Sequence, residues 1–328
     1  MSSTMETIFK VLFSVVIASN LVGNTMVILV VALHRRMKTP MNCLLANLAL
    51  ADFFVGLFLI PRTLLNDLYT HPGGWVGDFL CKMLTHACFT YLAAVASMLT
   101  LMFISWERYY AIMYPHSSRG RINANKLRLL VAVSWLVAFG YTSLEFWIIK
   151  FDEEKKACIY DWSVALWKTD VFVWCICLSL LPLGIQVGLY ARVVYRLWGQ
   201  KTQTKEISQR SLMIKRKRLT KTVLLISIIN IVLRLPIDVH YFLSTFASDS
   251  VTTADWWKPV SFSVSHLMLV LNSAVNPIIY AAKDKTFRQH MWRLLRKGCG
   301  RSSRVMNTSV AESRTYTDNC KVFELKKL

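Results

Sequence analysis

The sequence predicts an all-α membrane protein: a seven-transmembrane helix bundle with a short amphipathic helix after the seventh span. Three observations predict it. Of 328 residues, 54% are hydrophobic and only 18% charged, against about 25% charged in soluble domains. The apolar residues collect in seven segments of roughly 20 residues or more, the length a helix needs to cross a bilayer. The basic residues, which give a net charge of +20, fall between those segments. They form no contiguous face, so nucleic acid is not an expected partner and the lipid bilayer is.

By apolar length, the segments run over about 8–33, 42–68, 79–111, 126–149, 168–198, 217–246 and 257–282. None alternates like a barrel strand. No internal repeat is evident, which counts against a transporter of duplicated halves. No cleavable signal precedes the first segment, which is expected to act as the insertion signal. The division expected is a short extracellular stretch 1–7, a helical domain 8–300 and a disordered cytoplasmic tail 301–328, rich in Ser and Thr.

Loop charge sets the orientation. Arg35, Arg36 and Lys38 follow the first segment; Arg119, Arg121, Lys126 and Arg128 follow the third; Lys215-Arg216-Lys217-Arg218 follows the fifth. The opposite side carries Asp152-Glu153-Glu154. Positive charge stays inside, so the N-terminus is expected outside and the C-terminus in the cytoplasm. Of eight cysteines, Cys81 and Cys158 fall on the outer side and are the disulfide candidates. No paired C-x-x-C spacing suggests a zinc site.

Beyond the seventh segment, Phe287, Met291, Leu294 and Leu295 recur at helical spacing with bases opposite. This predicts a juxtamembrane helix over 284–297 lying on the inner face. Cys299 just after it is a candidate for palmitoylation. Asn307-Thr308-Ser309 matches a glycosylation acceptor but would face the cytoplasm, so it is expected to stay unused.

Polar groups inside spanning helices are costly. Asp52, Ser97, Asn272, Ser273 and Asn276 fall mid-segment, with Asn24 in the first. A carboxylate among hydroxyl and amide oxygens suits a hard monovalent cation and water; interhelical glue is the alternative. In the sixth segment Arg234 and Asp238 stand four apart, on one face, with Pro236 between them to kink the helix. Arg62, Glu145, His240 and His266 fall in outer halves, where such groups either line a wet cavity or snorkel to the interface.

These residues together resemble the rhodopsin-like (class A) G-protein-coupled receptors. The resemblance covers about 290 residues: Gly23-Asn24, Asn47 to Asp52, Glu107-Arg108-Tyr109, Trp135, Pro182, Tyr190, Pro236, Asn272-Ser273 and Asn276-Pro277-Ile278-Ile279-Tyr280, in that order along the seven segments. It implies a sodium-and-water cluster at Asp52, Ser97, Asn272, Ser273 and Asn276, with sodium an allosteric ligand and no other cofactor. It also implies a switch in which Glu107 holds Arg108 at rest, with Tyr109, Tyr190, Asn276, Pro277 and Tyr280 taking part. The partners implied are an extracellular ligand and a heterotrimeric G protein, with arrestin and receptor kinases as further candidates. The location implied is the plasma membrane, and the function is signalling, not enzymatic chemistry.

Departures from the family pattern carry their own expectations. Arg234 stands where the family usually has Trp, and Asn230 where it usually has Phe. Arg234 and Asp238 are therefore expected to form part of the pocket floor. No acid at the inner end of the sixth segment faces Arg108, which predicts measurable basal activity. Cys81 lies two residues further from Arg108 than the family's usual spacing, which predicts a bulged or unwound helix top.

The ligand is less defined. Thr90 stands where amine receptors place an acid, and Val270 where opsins hold a lysine. The candidate pocket takes Arg62, Thr90, Tyr91 and Glu145, with Arg234, Asp238, Tyr241 and His266 from the last two segments. The acidic, aromatic second outer loop suits a basic or amidated peptide. A lipid or small acid anchored on Arg234 or Arg62 is the runner-up. A channel or transporter is the alternative of a different class, though no continuous polar path is visible.

Overall fold

Several helices begin where a side chain can satisfy their first amides. Ser2 accepts from the Met5 amide at 3.4 Å, Thr39 from Asn42 at 3.3 Å, Asn123 from Lys126 at 2.8 Å and Ser163 from Leu166 at 3.4 Å. Pro40 directly after Thr39 is suited to a first helical turn, where its missing amide costs nothing.

The computed structural model describes residues 2–66, 68, 71–114, 122–154, 157–199, 207–247 and 257–298. Its elements are α1 (Ser3–Leu33), a 3-10 turn (Arg35–Met37), α2 (Pro40–Thr63), α3 (Gly74–Leu80), a π-helical turn (Cys81–Thr85), α4 (Cys88–Met113), α5 (Ala124–Ile148), β1 (Ile149–Asp152) and β2 (Ala157–Tyr160). There follow α6 (Val164–Phe172), a π-helical segment (Val173–Leu180), α7 (Leu181–Gly199), α8 (Ile207–Phe246), α9 (Trp257–Lys283) and α10 (Lys285–Gly298). Seven of the described helical runs are long and apolar enough to span a bilayer. Cys299, Arg119, Arg121, the Asn307 acceptor and the tail 301–328 lie outside the described residues, as do the side chains of the Lys215–Arg218 run.

Two boundaries differ from expectation. The first helix starts at Ser3, inside the stretch expected as an extracellular lead. The Ser2 cap and a Lys10–Glu6 pair one turn apart, at 3.1 Å, extend it. The last helix starts at Lys285, capped by Asp284, whose carboxylate accepts from the Phe287 amide at 3.2 Å. Phe287 is buried and packs with Met291 and Leu294 on the inner core, while Leu295 stays exposed.

The third span is the bundle's post. Within its apolar window 78% of residues are buried, against 28% in the fourth. Small residues Ala93, Ala94 and Ala96 let neighbouring backbones approach it. Gly56 on the second span serves the same end: a β-carbon there would meet Asn20 Oδ1 at 2.4 Å.

The expected irregularity at the top of the third span is present. A π-helical turn over Cys81–Thr85 is followed by Ala87 at φ 66°, where the helix breaks and restarts at Cys88. The π turn takes up extra residue length without losing hydrogen bonding. Cys81 still meets Cys158 in a disulfide, with Cα atoms 5.7 Å apart. That bond ties the β1–β2 hairpin, where Phe151 pairs with Cys158 and Ile149 with Tyr160, onto the third span.

Candidate functional site

At the disulfide end of the bundle a narrow cleft opens between the third, fourth, fifth and sixth spans and the hairpin, enclosing about 20 Å³. Of the residues expected in a ligand pocket, Tyr91, Glu145 and Tyr241 line it. Tyr91 is the hub of its inner wall: its hydroxyl lies 2.6 Å from that of Tyr241 and 2.8 Å from His266 Nε2. The third, sixth and seventh spans therefore share one hydrogen-bonded corner. His266 stacks on Phe262, with ring centroids 3.9 Å apart, and sits behind the cleft wall.

Other expected pocket residues stand back from the cleft. Arg62 donates to the His86 carbonyl at 3.1 Å and covers the Phe262 ring at 4.5 Å. Thr90 is fully buried and its hydroxyl has no partner among the described residues.

Arg234 and Asp238, expected on the pocket floor, lie one layer below the cleft. No salt bridge joins them among the described residues; Ser179 stands between, donating to Asp238 Oδ2 at 2.5 Å and accepting from Arg234 Nε at 3.3 Å. Trp174 forms the lid of this layer. Its indole N–H donates to Asp238 Oδ1 at 3.1 Å, and Arg234 packs on its ring at 5.0 Å. Cys175 Sγ adds a contact to the Asp238 carbonyl at 3.7 Å. All three partners come from the π-helical segment before Leu181, which changes the phase of the helix ahead of Pro182 and aims them at the sixth span.

Six cleft residues escaped the sequence reading: Tyr141, Tyr160, Trp167, Asp170, Val171 and Trp174. Asp170 could have been found, since it is an acid at the outer end of an apolar segment, as Glu145 is. Tyr160 and Trp167 carry no such signal; the disulfide-anchored hairpin brings Tyr160 in, with its ring 5.0 Å from that of Trp167.

The acidic outer loop is largely engaged within the protein. Glu153 accepts from the Gly74 amide at 2.9 Å at the start of α3. Asp161 pairs with Lys150 at 2.6 Å, and that hydrogen bond raises the lysine's pKa above its ordinary value. Asp152 accepts from the Glu154 amide at 3.0 Å. The acids that line the cleft are Glu145 and Asp170 instead.

At mid-bundle, Asp52 is fully buried and its carboxylate is saturated with donors. Ser97 reaches Oδ1 at 2.8 Å, Ser273 reaches the same oxygen at 3.0 Å, and Asn276 reaches Oδ2 at 2.7 Å. Asn20 donates to the Asp52 carbonyl at 3.0 Å, and Asn24 to the Ser273 carbonyl at 3.2 Å. Asn272 is buried nearby in sequence but makes no hydrogen bond to Asp52. Asn47 continues the polar chain, donating to Thr100 at 2.8 Å and accepting from Trp135 at 2.9 Å.

At the end of the bundle away from the cleft, Arg108 pairs with Glu107. Tyr190 accepts from Ser105 at 3.1 Å. Tyr280 packs on Phe287 with its hydroxyl buried and without a partner among the described residues. Tyr109 packs with Ile112 and Val193, and Pro277 lies against Gly23, where a β-carbon would approach to 3.0 Å.

A family model described as "7 transmembrane receptor (rhodopsin family)" matches residues 23–280. A QRFP-like peptide receptor of Branchiostoma floridae is 25% identical over 310 residues, covering 90% of this chain and 79% of that protein. The trissin receptor of Drosophila melanogaster is 32% identical over 201 residues, 58% of this chain and 29% of that protein. The pyroglutamylated RF-amide peptide receptor of Mus musculus is 27% identical over 305 residues, 86% and 68% respectively.

Proposed function

Because the chain belongs to the rhodopsin family of seven-transmembrane receptors, we propose that it binds a peptide at its outer cleft and activates a heterotrimeric G protein at its inner end. It is a multi-pass membrane protein and a receptor, not an enzyme. In the orientation proposed, the N-terminus lies outside, the C-terminus lies in the cytoplasm and the membrane is the plasma membrane. The Ser/Thr-rich tail is then available to receptor kinases and arrestin.

The observation that carries the reading is the path from cleft to sixth span. Trp174 lines the cleft and donates directly to Asp238, with Arg234 packed beneath it. A ligand that shifts the indole changes the hydrogen bonding of the helix whose outward movement admits a G protein. Ligand binding then selects among existing states. The similarity to receptors for QRFP-like, trissin and RF-amide peptides supports a peptide ligand. At the inner end the Glu107–Arg108 pair is the latch, and Tyr190 and Tyr280 are its partners after release.

The mid-bundle cluster fits sodium. Hydroxyl oxygens of Ser97 and Ser273 converge on one oxygen of a buried carboxylate, a hard oxygen donor set. A bound sodium ion would supply charge that favours the resting packing. Raising sodium chloride at constant ionic strength is expected to increase the unfolding temperature of the wild type and not of Asp52→Asn.

The test of function is a peptide-library screen on cells expressing the chain, read by second messengers, alongside Arg234→Trp and Asp238→Ala. A peptide response that both substitutions weaken supports the reading. A response unchanged in both would sink the role of this layer. Ligand-free nucleotide exchange above background is also expected; background exchange contradicts a loosely held Arg108.

One observation favours a second reading, a lipid or small acid bound by Arg234. Its Nη2 has no hydrogen-bond partner among the described residues. Arg234 is only 4% exposed and lies under Trp174, so such a ligand must displace the indole. Activation by acidic lipids, with peptides silent, would favour it.

A further inference from the structure

Glu145 is 5% exposed, lines the cleft, and its Oε2 has no hydrogen-bond partner among the described residues. Asp170 lines the same cleft from the start of the fifth span, where it accepts a hydrogen bond from the Tyr141 hydroxyl. No basic side chain among the described residues forms a salt bridge with either carboxylate. Arg62, on the second span, is held by the His86 carbonyl and the Phe262 ring. Leaving a buried carboxylate oxygen unpaired is costly, and two like charges in one cleft add to that cost. The cleft is therefore short of one cation.

We infer that Glu145 and Asp170 form the anchor for a single guanidinium group, an arginine side chain of the peptide ligand. Three features select guanidinium over a generic cation. The walls are aromatic rings, Tyr141, Tyr160, Trp167 and Trp174 among them, and a planar guanidinium stacks on such rings. Its fixed fork of donors can serve two carboxylates at once, which a point-charge ammonium does less well. It is more weakly hydrated than an ammonium, so it is more readily taken into a buried cleft. The cleft encloses only about 20 Å³, room for a water molecule, so the aromatic walls must part to admit the arginine side chain.

This deepens the peptide-receptor reading and rests on the cleft being the ligand site. The test needs no knowledge of the natural ligand. Purified full-length receptor is heated with Nα-acetyl-arginine amide or with Nα-acetyl-citrulline amide, its uncharged isostere. The arginine compound is expected to raise the unfolding temperature of the wild type by about 2 °C or more near saturation, and the citrulline compound to leave it unchanged. Glu145→Gln is expected to abolish the shift and Asp170→Asn to reduce it. Should Glu145→Gln fail to fold, the arginine–citrulline difference on the wild type and Asp170→Asn decides. Equal shifts from the two compounds, no shift in the wild type, or a full shift in Glu145→Gln overturns the anchor. A silent peptide screen with the arginine shift intact defeats the peptide reading and leaves the guanidinium site standing. An active peptide whose potency is unchanged by replacing its arginines with citrulline defeats the site and leaves the receptor reading standing.

Discussion

Asp52 and Glu145 are both buried carboxylates, at 0% and 5% exposure, yet their surroundings are opposite. Asp52 takes three side-chain donors from the third and seventh spans. Glu145 has a carboxylate oxygen that no donor reaches among the described residues. The first arrangement is complete within the protein and holds spans two, three and seven together. The second is incomplete and opens onto a cleft. Burial alone does not say whether a carboxylate lacks a partner within the protein; the count of satisfied oxygens does.

The largest effect is expected at the complete site. Asp52→Ala leaves Ser97, Ser273 and Asn276 facing one another in a buried space, and should cost about 3 kcal/mol or more of stability. Thermal unfolding of the purified receptor measures it; an unchanged midpoint would break the comparison. Gly56→Val should be next, at about 1–3 kcal/mol, because its side chain displaces the Asn20 amide that supports the Asp52 backbone.

Ser179→Ala is intermediate. It removes the hydroxyl between Arg234 and Asp238 and should cost about 1–2 kcal/mol. It should also change basal nucleotide exchange, since the two charged groups must find each other or water. If exchange and stability both stay at wild-type values, the layer below Trp174 is not a coupling element.

The smallest effect on folding is expected at the incomplete site. Glu145→Gln removes a buried charge that has no partner, so it should cost no stability and raise it by up to about 1 kcal/mol. A loss comparable to that of Asp52→Ala would show that Glu145 is structural glue after all, and would erase the contrast.

How much of this was legible in the sequence varies by residue. Asp52, Ser97, Ser273 and Asn276 could be grouped because each is a polar residue inside an apolar run, and such groups seek one another in a membrane. Asn272 shares that signal but points elsewhere, since adjacent residues on a helix face directions about 100° apart. Glu107 and Arg108 were legible as a pair at the inner end. Arg234 and Asp238 share a face by spacing, but Ser179 inserted between them. Tyr160 entered the cleft only because the disulfide holds the hairpin over it.

The sequence by itself determined the number of spans, the places where several of them begin and the Glu107–Arg108 pair at the end of the third. Those depend on apolar length and on local capping, properties of contiguous residues. It also anticipated the irregular top of the third span, from two surplus residues before Arg108. Only the tertiary structure decided which polar groups meet. The π-helical segment at Val173–Leu180 shifts the phase of the fifth span and turns Trp174, Cys175 and Ser179 toward Asp238. Hydrogen-bond register within a helix responds to packing against its neighbours, and that information is spread across spans far apart in the chain.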